Sequence, residues 1–159
     1  MKQTTIWIVD DDDSVLDLML AIVERLGYRA RTFTLATDAL EQFQRGKAEV
    51  VISDVRMPDM DGLEFTRRLI EKDPSVKVML LTGYPSIPDA VEAIKNGAFD
   101  YLTKPFRMEE IRIRLERALE ARELFSRLVS SRWLTWILIG SMPLWFLLGY
   151  LFGCLLLDV

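Results

Sequence analysis

The stretch Ile6-Trp7-Ile8-Val9-Asp10-Asp11-Asp12-Asp13 contains a short apolar run that ends abruptly in four aspartates. Four apolar residues without polar alternation are typical of a parallel strand that is buried on both faces. Similar runs follow at Val50-Val51-Ile52 and at 76–81, and weaker ones at 28–33 and 99–103. The sequence therefore predicts five strands of one parallel sheet.

The segments between these runs have helical spacing. Apolar positions recur every three or four residues, and each series ends before Gly or Pro. The four series are Val15, Leu18, Met19, Ile22 and Leu26; Ala36, Ala39, Leu40 and Phe43; Leu63, Thr66, Leu69 and Ile70; and Ile87, Ala90, Val91 and Ile94. A fifth helix is expected to begin near Met108. This alternation predicts an α/β fold, a doubly wound five-stranded parallel sheet with helices on both faces.

The composition excludes several classes of function. The chain has 159 residues, a formal net charge of -4, no histidine and a single cysteine. This length suits one domain plus an appendage, and the negative charge argues against nucleic-acid binding. Without histidine the chain can supply neither an imidazole base nor a phosphohistidine, so any phosphoryl donor must come from another molecule.

Polar residues follow four of the predicted strands, where ligands bind in such folds. They are the aspartate run 10–13, Ser53-Asp54, Thr82-Gly83 and Thr103-Lys104-Pro105. Carboxylates gathered in this way repel one another, which favours a divalent cation, and an all-oxygen ligand set favours Mg2+. Lys104 can supply a point charge, and Thr82 a hydroxyl donor, to a phosphoryl group. The pattern predicts a phosphoryl-transfer site with an aspartate nucleophile.

Some of these polar residues have simpler interpretations. Asp13 or Ser14 is expected to cap the first helix, because aspartate and serine are preferred N-caps. Asp12 is ambiguous within the four-residue run, and we leave it outside the predicted site. Asp59 and Asp61 lie beside Pro58 and Gly62 and are expected to form turns.

Four motifs together resemble the receiver domains of response regulators, in particular those of the nitrogen-regulation type. They are the runs 8–12, 54–62, 81–83 and 97–106. The resemblance covers about residues 4–122, and it implies a flavodoxin-like fold with strand order 2-1-3-4-5. It also implies a signalling switch, not a conventional enzyme, that takes its phosphoryl group from a sensor histidine kinase or a phosphotransfer protein.

The resemblance assigns roles to individual residues. Asp54 is the expected phosphoacceptor, and Asp10, Asp11 and Asp54 are the expected Mg2+ ligands. Thr82 and Lys104 are expected to contact the phosphoryl group. Tyr101 matches the family's switch aromatic, and Lys104-Pro105 its cis peptide. The face formed by helix 4, strand 5 and helix 5 is the expected output surface.

Other readings of the aspartates remain open. Asp10-x-Asp12-x-Ser14 loosely resembles the nucleophile loop of haloacid-dehalogenase-type aspartyl phosphatases, which would leave Asp54 without a role. A flavin-binding module of the same topology would need a phosphate-binding loop after the first strand, and the four aspartates do not provide one. The phosphatase is therefore the principal alternative, and the identity of the phosphorylated aspartate distinguishes it.

The C-terminal sequence differs sharply from the rest. Residues 133–157 contain no charge, and 19 of the 25 are apolar. As a helix this segment would extend roughly 37 Å, enough to cross a hydrocarbon core of about 30 Å. We predict a receiver domain at 1–122, a helical linker at 123–132 and a transmembrane helix at 133–157.

The charges flanking this segment predict its orientation. Five arginines precede it within 20 residues, whereas Asp158 is the sole charged side chain after it. By the positive-inside rule the receiver domain faces the cytoplasm, as a single-pass protein of the cell inner membrane. The membrane segment would then either transmit the switch or act as a passive anchor for a phosphate sink. A homodimer could form through helix 4, strand 5 and helix 5, or through Gly149 and Gly153.

Overall fold

The computed structural model describes residues 4–128. Five parallel strands form one sheet in the order β2-β1-β3-β4-β5, which confirms the predicted topology. The strands are β1 (Thr5–Val9), β2 (Arg29–Phe33), β3 (Val50–Asp54), β4 (Lys77–Thr82) and β5 (Asp100–Thr103). Strands β2, β4 and β5 each begin one residue later than predicted. At β2 and β4 the cause is a turn, because the amides of Tyr28 and Val76 donate to carbonyls of the preceding helix end.

The helices cover both faces of the sheet. They are α1 (Asp13–Arg25), α2 (Ala36–Gln42), α3 (Gly62–Lys72) and α4 (Ile87–Lys95), followed by α5, helical over 108–128. Helices α1 and α5 pack on one face, over Ile6 and Ile8 of β1. Helices α2, α3 and α4 pack on the other, over Trp7 and Val9. Alternate residues of one strand thus enter two separate cores, as the uninterrupted apolar runs predicted.

In two helices, apolar residues of the predicted helical series lie on the surface. Leu18 of α1 is 52% exposed. In α4 most of the apolar series lies on the outside, with Ile87, Val91 and Ile94 all at least 48% exposed. The buried residue of α4 is Ala93, whose small side chain lets the helix pack closely on the sheet. The apolar spacing of α4 therefore marks an exposed surface.

The chain divides into two compact units, Met1–Arg122 and Glu123–Val159. The predicted transmembrane helix at 133–157, with Gly149 and Gly153, lies outside the described residues. Within residues 4–128 no helix is both long enough and apolar enough to cross a membrane. The domain boundaries at 122 and 132 stay predictions.

A buried carboxylate fixes the turn between α3 and β4. Asp73 is fully buried, and it accepts hydrogen bonds from the amide and hydroxyl of Ser75 and the amide of Gly46. Burial alone would raise the pKa of Asp73, but these hydrogen bonds outweigh burial and hold the pKa below its ordinary value of 3.8. The ionised carboxylate therefore stabilises the fold.

We expect Asp73→Asn to lower the free energy of unfolding at pH 7 by roughly 2 kcal/mol, because the amide cannot accept all three hydrogen bonds. The folded-state pKa is depressed, so this stabilisation is present above the unfolded pKa and is lost as the pH falls through the folded pKa. Urea unfolding of the full chain in a non-ionic detergent should show the two proteins converging below about pH 4. Asp17→Asn, at an exposed position of α1, is the control. A pH-independent difference would contradict the assignment.

Candidate functional site

The carboxyl ends of four strands bring the predicted polar residues to one edge of the sheet. Asp10 directly follows β1, Asp54 is the last residue of β3, and Thr82 is the last residue of β4. Lys104 follows β5, where Thr103 pairs in register with Thr82. The strands hold these backbone positions because each is hydrogen-bonded to its neighbours, and β1, β3 and β4 are buried along nearly their whole length. The edge is therefore a preformed scaffold for the side chains.

Lys104 joins the two buried aspartates. Its Nζ donates to Asp10 Oδ2 and to Asp54 Oδ1, each at 2.6 Å. The side chain of Asp10 is 1% exposed and that of Asp54 11%, so both carboxylates are largely removed from water. One ammonium group between two carboxylates offsets most of their mutual repulsion. The cluster of Asp10, Asp54 and Lys104 thus keeps one net negative charge.

The remaining oxygens of the two aspartates are also held. Asp10 Oδ1 accepts the amide of Asp12 at 3.0 Å, and Asp54 Oδ2 accepts the amide of Arg56 at 2.7 Å. Backbone donors two residues downstream fix the rotation of each carboxylate. The Asp54 carboxylate is therefore held with Oδ1 toward Lys104 and Oδ2 toward the Arg56 amide.

Burial and pairing shift the ionisation of this cluster. Burial raises the pKa of Asp10, and the hydrogen bond from Lys104 opposes that rise without cancelling it. For Lys104 burial acts to lower the pKa, but hydrogen bonds to Asp10 and Asp54 outweigh it and the pKa is raised. Lys104 is accordingly a cation at neutral pH.

Thr82 and Tyr101 lie on the same face of the β4–β5 pair, because Tyr101 pairs in register with Leu80 and Thr82 is two residues further along β4. Thr82 is 3% exposed, and its Oγ1 accepts the amide of Tyr84 at 3.0 Å. Tyr101 is half-buried against the core under α2, α3 and α4. It also lines a cavity of about 600 Å³ whose walls include residues of α3 and α4. Space for movement therefore exists beside Tyr101.

The predicted metal ligands are only partly brought together. Asp10 and Asp54 converge, but Lys104 lies between them and Asp11 is exposed. Among residues 4–128 no three acidic or cysteine side chains converge as a metal-binding group. The donor set nevertheless fits Mg2+, because two carboxylate oxygens already face one cation, and this ion binds through one or two carboxylates with several waters.

The neighbouring aspartates cap helices. Asp12, not Asp13 or Ser14, is the N-cap of α1, and its side chain accepts the amide of Ser14. The prediction was wrong by one residue, because all members of a four-aspartate run are equally good caps. This role accords with leaving Asp12 outside the site.

Asp59 and Asp61, predicted as turn formers, each cap a helix. Asp61 accepts the amide of Leu63 as the N-cap of α3. Asp59 accepts the amide and hydroxyl of Thr37, both at 2.8 Å, and so caps α2 from a distant loop. The loop that follows Asp54 is therefore fixed to two helices.

Two features of the site were missed from the sequence. Gly62 packs so closely on the end of β3 that a Cβ there would lie 2.4 Å from the carbonyl oxygen of Asp54. The Arg56 guanidinium also lies 4.9 Å from the ring centroid of Tyr84, a cation–π contact between two loops of the site. The glycine after Asp61 could have signalled the close approach, whereas nothing in the sequence pairs Arg56 with Tyr84. The expected cis peptide at Lys104-Pro105 is confirmed.

Comparison with known proteins gives a consistent family assignment. Residues 6–116 match the response regulator receiver domain family. The chain is 38% identical over 119 residues to the DNA-binding transcriptional regulator NtrC of Proteus hauseri, covering 75% of this chain and 25% of that protein. It is 40% identical over 110 residues to the response regulator protein TmoT of Ectopseudomonas mendocina, covering 69% and 50% respectively. The chain thus spans half or less of the length of these relatives.

Solved structures agree with the assignment. A response regulator receiver domain protein from Clostridium thermocellum superposes with a TM-score of 0.71 at 28% identity, covering 77% of this chain and 98% of that chain. The beryllofluoride-activated NtrC4 receiver domain dimer superposes with a TM-score of 0.67 at 33% identity, covering 74% and 98%. In both cases the likeness covers nearly the whole of the solved domain.

Proposed function

Because this chain belongs to the response regulator receiver domain family, we propose that it is a phosphoaspartate switch and that Asp54 is its phosphoacceptor. The observation that carries the proposal is the double contact of Lys104 Nζ with Asp10 and Asp54. A cation fixed beside a buried carboxylate can stabilise the charge of an incoming phosphoryl group. Family membership makes a histidine kinase or a phosphotransfer protein the expected donor.

The proposed reaction is an in-line displacement at phosphorus. An Asp54 carboxylate oxygen attacks the donor's phosphorus, a P–O bond forms, and the P–N bond of the donor phosphohistidine breaks. With a small acyl phosphate the leaving group is the carboxylate instead. Lys104 pairs with the new phosphoryl oxygens, and the Thr82 hydroxyl donates to them. Attack by water later returns Asp54 and inorganic phosphate.

Mg2+ fits this proposal as the resident cofactor. Asp10, Asp11 and Asp54 would hold it, and Asp11 directly follows Asp10 in the chain. When bound, the ion would neutralise the charge that develops on the transferred phosphoryl group. Lys104 alone cannot balance the negative charge of Asp10, Asp11, Asp54 and a phosphoryl group. Its role therefore complements that of the metal ion.

The first test asks which aspartate is phosphorylated. The full chain in non-ionic detergent is incubated with acetyl phosphate with and without Mg2+, and the acyl phosphate is located by reductive trapping and mass spectrometry. We expect Mg2+-dependent modification at Asp54. Modification at Asp10 instead would support the haloacid-dehalogenase-type phosphatase and overturn the proposal.

The output surface is assigned to α4, β5 and α5. Ile87, Val91 and Ile94 form an exposed apolar row on α4, and Tyr101 lies on β5 beside the α3–α4 cavity. Contact of Thr82 with a phosphoryl group would let Tyr101 move inward and change this surface. The surface is suited to protein contacts, a second copy of the chain among them, because exposed apolar rows of this kind mark interaction sites.

We further propose that residues 133–157 anchor the chain in the cell inner membrane, with residues 1–122 in the cytoplasm. The support is the sequence alone, namely 25 uncharged residues preceded by five arginines. A homodimer through Gly149 and Gly153 is compatible with this anchor. The anchor serves the switch if phosphorylation alters the membrane segment, and otherwise it concentrates a phosphate sink near a membrane kinase.

We expect the full chain to fractionate with membranes and to resist carbonate extraction, because 19 of its residues between 133 and 157 are apolar. The comparison is a chain ending at Arg122, the last residue of the first compact unit, which should remain in the supernatant. Full-length protein that stays monodisperse in water without detergent would contradict the anchor.

A further inference from the structure

The two edges of the sheet carry opposite charge. The carboxyl-edge segments 10–14, 54–62 and 103–108 contain seven Asp and three Lys or Arg. The amino-edge segments 24–29, 43–49, 72–77 and 95–100 contain four Asp or Glu and seven Lys or Arg. These four segments each connect a helix end to the start of a strand. A chain with a net charge of -4 thus has a basic surface at its amino edge.

The acidic residues of the amino edge lie mainly inside the fold. Glu49 is 8% exposed and receives the amide of Thr5, and Asp73 is fully buried. Asp100 is paired with Arg114 through two hydrogen bonds of 2.7 Å. Their charges are therefore directed into the protein.

The basic residues of this edge lie mainly outside. Arg25, Arg29, Arg45 and Lys47 are exposed, and the side chain of Arg45 is 70% exposed. Within residues 4–128, Arg25, Arg29 and Lys47 take part in no ion pair, and Arg45 has one long contact of 3.9 Å with Asp73. The basic surface is defined here as Arg25, Arg29, Arg45 and Lys47.

Helix stability explains only part of this arrangement. Arg25 is in the last turn of α1, where a cation interacts favourably with the helix dipole. Arg29 lies in β2, and Arg45 and Lys47 lie between α2 and β3. These three are not within a helix terminus, so the dipole does not account for them.

The chain leaves the first compact unit at this same edge. Arg122 is the last residue of that unit, and its NH1 lies 3.8 Å from Glu49 Oε1, next to the start of β3. Ten residues, 123–132, lie between Arg122 and residue 133, so eleven residue steps join the two positions. These steps cover about 16 Å as a helix and about 40 Å at full stretch. If 133–157 spans the membrane, the amino edge is tethered close to the lipid headgroups.

From this arrangement we infer that the basic surface binds the anionic headgroups of the membrane, so that the amino edge of the receiver unit faces the lipid. The inference rests on the proposed membrane anchor. An anionic leaflet attracts Lys and Arg within about a Debye length, and the short tether keeps the two surfaces at high effective concentration. Docking in this orientation would point the acidic carboxyl edge, with Asp54, away from the membrane and toward a soluble phosphoryl donor.

The test places the full chain in lipid nanodiscs and measures the proximity of each edge to the headgroups. In a Cys154→Ser background, a fluorophore is attached at Gln44→Cys on the amino edge or at Thr34→Cys on the carboxyl edge, both exposed positions. The discs contain a headgroup-quencher lipid in either phosphatidylcholine alone or a mixture with phosphatidylglycerol. At position 44 we expect about threefold stronger quenching in the anionic discs than in the phosphatidylcholine discs. This difference should disappear in 0.5 M salt, where the Debye length is about 4 Å. At position 34 we expect equal quenching in the two kinds of disc.

Charge variants provide the matched comparison. The triple variant Arg29→Gln, Arg45→Gln, Lys47→Gln should lose the anionic-lipid effect at position 44. The triple variant Arg67→Gln, Arg68→Gln, Arg112→Gln, which removes the same charge from α3 and α5, should keep it. Chains that enter the discs but show equal quenching in both lipids would overturn docking and leave the anchor intact. Chains that do not enter the discs would overturn the anchor and docking together.

Discussion

Asp54→Asn is expected to reduce phosphorylation by acetyl phosphate to the background level, because a neutral amide is not a nucleophile toward phosphorus. The substitution preserves the shape of the side chain. An amide oxygen can still accept the hydrogen bond from the Arg56 amide, and Asp10 still pairs with Lys104. The loss should therefore be chemical, with the far-UV circular dichroism unchanged. Incorporation is measured by intact-mass spectrometry of the full chain in detergent.

The control for this variant is Asp61→Asn. Asp61 lies seven residues further along the same loop and caps α3, a role that asparagine also fills. It should incorporate the phosphoryl group like the unmodified chain. If Asp54→Asn incorporated the phosphoryl group as fully as the unmodified chain, with the modification at Asp10, the nucleophile would be Asp10 and not Asp54.

Gly62→Ala is expected to have the largest effect on stability. Its Cβ would lie 2.4 Å from the carbonyl oxygen of Asp54 and 2.9 Å from the Cα of Val55, and neither backbone atom can rotate away. Helix propensity favours Ala over Gly by about 1 kcal/mol, but the steric overlap at the end of β3 costs roughly 3 kcal/mol or more. The steric overlap therefore outweighs the gain in helix propensity, and we expect the free energy of unfolding to fall by about 2 kcal/mol or more.

The same substitution should also impair phosphorylation, since relieving the overlap displaces the backbone of Asp54. Gly83→Ala is the matched control, because a Cβ at Gly83 meets nothing within 4 Å although Gly83 directly follows Thr82. Urea unfolding in detergent gives the stabilities, and acetyl phosphate labelling gives the activity. Equal unfolding midpoints for the two variants would show that β3 and α3 do not pack as closely as described.

The sheet and the location of the site could be predicted because they depend on local signals. The run Ile6-Trp7-Ile8-Val9 has apolar residues on both faces, and this pattern alone distinguishes a buried parallel strand from an edge strand. Once the strands are placed, parallel topology brings Asp10, Asp54 and Lys104 to one edge without further information. Their convergence follows from strand order, not from the residues that separate them.

The faces of α1 and α4 could not be predicted in the same way. Apolar spacing reports that a helix has an apolar face, but it does not report what covers that face. In α4 the helix packs on the sheet through Ala93, and Ile87, Val91 and Ile94 are outside. The cap supplied to Thr37 by Asp59 was missed for a related reason, because it depends on a contact between α2 and a loop residue 22 positions further along the chain.

The separation of the site residues along the chain has a consequence for synthesis. Lys104 is 94 residues from Asp10 and 50 from Asp54. A nascent chain that has produced β1 through β4 contains both aspartates but not the cation that balances them. Contacts of such long range carry a loop-closure cost that slows folding. Only a chain translated through β5 can assemble the cluster of Asp10, Asp54 and Lys104, so under the proposed mechanism phosphoryl acceptance requires the completed sheet.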